Sequence, residues 1–149
     1  MRWLATRPDF VGAEDPVAED AALRFLRLVW GDPGSACPVA ARSGLGAKGA
    51  AALAAAVAAL RVGTRGTLAV LAPRARATTR DEALLLDAIG SLQRGEPWRA
   101  QRAVAEWVPP DLAVRVIALL AKASAAMARA GLRPGRLEPD RIAPRPGSA

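Results

Sequence analysis

The sequence predicts a mainly α fold: about five helices packed as a small irregular bundle, with one short strand or two-stranded ribbon near residues 67–78. Three observations carry this. Thr79 followed by Glu82, just ahead of Leu84-Leu85-Leu86, has the form of a capping box, in which the two side chains satisfy each other's orphan backbone N–H groups. Proline stands where a helix should open, at Pro16, Pro97 and Pro110, and glycine where one should stop, at Gly31, Gly95 and Gly131. Alanine, the best helix former, fills 36 of 149 positions.

Residues 1–13 read as an irregular lead-in to a single helical domain spanning 1–131. Asp15-Pro16 supplies an N-cap and a proline for the first turn of a helix reaching Trp30. Val17, Ala21, Phe25, Leu28 and Val29 form its expected apolar stripe, and Asp20 and Arg24 pair at i,i+4 on another face. Gly31 to Gly46 is a Gly/Pro/Ser/Ala-rich loop holding Cys37. Ala47 to Arg61 is nearly polyalanine, with Leu53, Val57 and Leu60 on one side, and predicts a helix.

Thr67 to Leu71 is the strand candidate, closed by Pro73, and a second short strand over Arg74 to Thr78 would complete a ribbon lying on the helices. A helix from Arg80 to Arg94 follows, with Leu85, Ala88, Ile89 and Leu92 at helical spacing. In the next, Ala100, Ala103, Val104, Trp107 and Val108 make the inner stripe. Trp98 lies nine residues before Trp107, about 180° around the helix, so the two cannot share a face. The last helix turns Leu112, Val116, Leu119, Leu120, Ala123 and Met127 inward. Residues 132–149, basic and Pro/Gly-rich without apolar periodicity, are expected to be a disordered tail.

Arginine outnumbers lysine 19 to 2, which together with the alanine excess points to a GC-rich genome and discounts arginine as a functional signal. The formal charge of +7 is nonetheless uneven. It concentrates in Arg61, Arg65, Arg74, Arg76 and Arg80, a segment with no acid, and in the tail. Local charge density governs attraction to phosphate, so this segment is a candidate phosphate contact. It lacks an aromatic to stack on bases, and a solvated basic loop guarding a sheet edge is the plainer reading.

Catalysis is poorly served. There is no His and no Tyr, so the usual general base near neutral pH and the Ser-His-Asp or Cys-His arrangements are missing. The single Cys37 excludes an internal disulfide and zinc sites built from several Cys or His ligands, and it fits a reducing compartment. Asp81, Glu82 and Asp87 occupy the first two turns of a helix, where they favour the positive end of the macrodipole. No catalytic, metal-binding or cofactor-binding residue is assigned. Gly44-Leu45-Gly46-Ala47-Lys48-Gly49 fits G-x-G-x-x-G ahead of a helix, but a poor strand precedes it and no acid follows at the distance a ribose needs.

Trp98, flanked by Arg99 and Arg102, has the composition favoured at protein interfaces, and packing under the preceding turn competes with that reading. With no secretory signal and no apolar run long enough to span a bilayer, a cytoplasmic chain without membrane contact is expected. The oligomeric state is open, and the alanine-rich helix could serve a dimer.

The run Thr79-Arg80-Asp81-Glu82-Ala83-Leu84-Leu85, followed by Gln93-Arg94-Gly95 and the Val108-Pro109-Pro110 break, resembles a pattern of small uncharacterised helical proteins of GC-rich proteobacteria, over residues 62–132. Such proteins carry cysteines ahead of the Thr-x-Asp-Glu run, whereas Ala72 to Thr78 has none. The resemblance therefore implies no metal or redox role here, and an accessory protein rather than a particular activity. The expectation is a non-enzymatic interaction or regulatory protein with a protein partner, and the alternative is a sequence-tolerant nucleic-acid binder using residues 61–80.

Overall fold

The computed structural model describes residues 16–32, 34, 44–64, 68–75 and 78–134. Among these it places helices α1 (Pro16–Gly31), α2 (Ala47–Gly63), α3 (Arg80–Gln93), α4 (Pro97–Ala105) and α5 (Pro110–Arg129). The mainly helical expectation holds, and each helix opens within a residue of its expected start. Asp15, Cys37, Arg65, Arg76 and the segments 1–15 and 135–149 lie outside the described residues.

The most extensive helix contact is α2 on α5. A Cβ on Gly49 would collide with Ala126, and one on Gly63 with the end of Leu112. These pairs fix α2 and α5 as antiparallel and show why glycine stands at both places: the helices approach more closely than a methyl group allows. Leu53, Ala56, Val57 and Leu60 fill the seam from α2, with Val116, Leu120, Ala123 and Met127 from α5, all buried. α3 lies on α5 and α4, and α1 closes the bundle against α2 and α3. Each fully buried Leu, Ile, Val or Met contributes about 1.5–3 kcal/mol of transfer free energy.

The capping box is present in full. Glu82 N–H donates to Thr79 Oγ1 at 3.0 Å, and Thr79 N–H donates to Glu82 Oε1 at 3.0 Å. Gly95, at φ 74°, takes the left-handed conformation that closes the turn after α3. Trp98, in the first turn of α4, is exposed, and Trp107, two residues beyond the end of that helix, is buried.

Three expectations need correction. The short strand or ribbon near residues 67–78 is absent: among the described residues no strand forms. Ala69 shows why, since its N–H donates to Asp81 Oδ2 at 3.0 Å and its carbonyl accepts from Thr79 Oγ1. Side chains at the start of α3 have taken the backbone groups a partner strand would have used. The stripe of α1 is also rotated: Ala22, Leu23, Leu26 and Val29 are buried with Phe25, while Ala21 and Leu28 are only partly covered. Beyond α5, Leu132 and Pro134 are buried, although composition assigns both to the tail. Gln93 Nε2 donates to the carbonyls of Ser124 at 3.1 Å and Leu132 at 2.8 Å, tying this exit strap to α3.

Candidate interaction surface

The three acids of α3 are the natural place to seek chemistry, and each is held by named partners. Glu82 is 0% exposed and accepts from Arg27 Nε at 2.5 Å and Nη2 at 3.2 Å. Arg27, 3% exposed, also donates from Nη1 to the Ala75 carbonyl at 2.7 Å. One bidentate ion pair thus joins α1, α3 and the segment between α2 and α3. Asp81 accepts from Ala69 N–H and, at 3.3 Å, from Trp107 Nε1, which pins the end of α4 to the start of α3. Asp87 accepts from Arg99 Nη2 at 3.2 Å on both oxygens. Their role goes well beyond the macrodipole expected of them.

The interior arginine escaped the sequence reading. Arg27 sits in the pattern Leu26-Arg27-Leu28, where a surface cation is the ordinary expectation. Its partner lies 55 residues away, so no local signal points to it. The only hint is Glu82 itself, a capping-box acid with a second oxygen to satisfy.

The candidate partner or phosphate contacts differ in what holds them. Arg61 donates to the Trp30 carbonyl at 2.9 Å, Arg80 pairs with Glu106 at 3.2 Å, and Arg99 is committed to Asp87. Arg61, Arg74, Trp98 and Arg102 are exposed, while Arg65 and Arg76 fall outside the described residues. Among the described residues of 61–80, Arg61 and Arg74 are therefore exposed and Arg80 is half-buried against Glu106. The structure does bring Trp98 and Arg102 together, one turn apart on α4.

That helix is strongly two-sided. Ala100, Ala103 and Val104 face the core, whereas Trp98, Gln101, Arg102 and Ala105 are all exposed. Trp98 leaves 55% of its surface open. The outward face leads from Ala105 into a recess of about 290 Å³ lined by Ala105, Glu106, Trp107, Val108, Pro110 and Ala113. An aromatic anchor, a guanidinium beside it and a small recess one helix-length on form an arrangement that can hold a peptide or a protein edge.

No family model, curated protein or solved structure matches this chain. The reading of the surface accordingly rests on its own geometry. Among the described residues no group of three or more His, Cys, Asp or Glu converges as a metal site, and no helix is long and apolar enough to cross a membrane. At the start of α2, Gly46 occupies the N-cap position, and the third glycine of the G-x-G-x-x-G run, Gly49, is taken up by packing against Ala126. The stretch ahead of that run, residues 36–43, lies outside the described residues.

Proposed function

We propose that this is a non-enzymatic accessory protein that binds a protein partner through the outward face of α4. Trp98 is the anchor, Arg102 supplies the polar contact beside it, and the recess beyond Ala105 accepts a partner side chain. The exposure of Trp98 is the observation that carries this reading. A tryptophan left 55% open on a surface helix is the residue type and placement of an interface hot spot. The occupied state of Asp81, Glu82 and Asp87 supports the non-enzymatic part, because each carboxylate already has structural donors. A lone cysteine agrees with a cytoplasmic setting.

The nucleic-acid alternative draws on residues 61–80, where Arg61 and Arg74 are exposed, Arg61 also donating to the Trp30 carbonyl, and Arg80 pairs with Glu106 at the surface. No particular contact favours it, and it enters as an outcome of the test. The tagged protein is purified from its native host with and without nuclease. A stoichiometric protein partner that survives digestion supports the proposal. Partners that vanish on digestion, with nucleic acid in the untreated eluate, overturn it in favour of the basic segment.

A further inference from the structure

The outer side of the α2–α5 pair carries a second surface, unrelated to Trp98. On α5, Leu112 and Ala126 meet α2 at Gly63 and Gly49. Arg115 and Arg129 stand three residues beyond those contacts, and Lys122 lies midway between them. At about 100° per residue this puts all three on one shoulder of α5, about 60° round from the contact line. All three are exposed. Next to them runs an exposed row, Val114, Ala118, Ala121 and Ala125, whose 4-3-4 spacing is that of a coiled-coil seam.

The charge on this side is predominantly basic. α2 contains no acid, and the one acid of α5, exposed Asp111, stands one turn before Arg115 at the start of the row and leaves Lys122 and Arg129 without an acid on their own helix. The apolar content is concentrated at one end. Val114, 73% exposed, is the largest side chain of the row and stands at its first position, about 200° round α5 from Leu112 and so away from α2.

We propose that this face docks an acidic amphipathic helix of a partner protein. The partner lays its apolar stripe along Val114, Ala118, Ala121 and Ala125 and offers carboxylates at seven-residue intervals to Arg115, Lys122 and Arg129. Spacing selects this occupant: cations seven residues apart on a helix recur every ~10.5 Å, the repeat of a heptad on a facing helix. Small seam residues let that helix approach closely. A second copy of the chain does not fit. Antiparallel pairing would set the basic row against itself, and parallel pairing would require Ile117 and Ser124, which face the bundle, to flank the seam. A polynucleotide would supply the charge, but this row offers it no aromatic platform.

The test uses the full chain and a synthetic peptide of about three heptads, with Leu at its seam and Glu beside it, followed by fluorescence anisotropy. A scrambled peptide of equal charge and an oligothymidylate are the comparisons. The heptad peptide should bind at least about tenfold more tightly than either comparison. The R115E/K122E/R129E variant should lose about tenfold or more, and so should Ala121→Trp, which blocks the seam and keeps the charge. Trp98→Ala should bind the peptide unchanged, which separates this surface from the one on α4. Equal binding of the scrambled peptide or the oligonucleotide would overturn the proposal, as would full binding by Ala121→Trp. Circular dichroism checks each variant. Should the triple variant fail to fold, Ala121→Trp alone decides the outcome.

Discussion

Arg27 and Glu82 show what a single buried pair does in this chain. Glu82 closes the capping box with one oxygen and takes a guanidinium with both, so it joins a local motif to a helix 55 residues earlier. Removing one partner strands the other charge in the interior, at a cost of about 3–5 kcal/mol. Arg27→Met and Glu82→Gln should each show a loss of that order in denaturant unfolding. The double variant should lose clearly less than the two combined, because the stranded charge is removed with its partner. Additive losses would mean that the two residues act separately. At Thr79 the stakes are smaller: Thr79→Ala removes the N-cap acceptor and should cost about 1 kcal/mol by the same measurement. The cap was legible in the sequence because its partners are three residues apart. Arg27 was not, because a buried ion pair is a tertiary fact with no period of its own.

At the scale of elements, helix starts were the most readable feature. Proline at Pro97 and Pro110 and the Thr79 cap act within one turn, and the structure places α3, α4 and α5 where those signals stand. The missing strand marks the limit of that reading. Leu68 to Leu71 has the right residues for a strand, but Asp81 and Thr79 capture the backbone of Ala69 first, and alternation of side chains carries no information about that competition. The α2–α5 seam supplies a prediction of its own. Gly49→Ala gains helix propensity yet drives a methyl group into Ala126, which cannot swing aside, and should destabilise the fold by about 1–3 kcal/mol. Gly63→Ala meets the mobile end of Leu112 and should cost less. The reverse order in thermal unfolding would show that α2 and α5 do not pack at this distance.

For the molecule as a whole, charge and exposed apolar surface divide the work. The acids of α3 are spent on holding the bundle together, Arg61 and Arg80 of the charged segment contact a carbonyl and an acid, and α4 and α5 each carry exposed cations beside exposed apolar side chains. The candidate site was half legible: Trp98 beside two arginines stood out by composition, but the 180° argument that set it apart from Trp107 assumed a helix that in fact ends at Ala105, and which arginines pair depended on contacts between helices. Since Trp98 is open and Arg102 is exposed, Trp98→Ala should leave stability within about 0.5 kcal/mol of the parent chain. That independence makes it the most direct probe of function. The decisive measurement is a side-by-side capture of partners by the wild type and Trp98→Ala, after nuclease, from the native host. The account predicts a stoichiometric protein partner with the wild type and at least a tenfold loss of it with the variant, about what a hot-spot residue carries. An undiminished partner on Trp98→Ala would contradict the central claim that α4 is the docking surface.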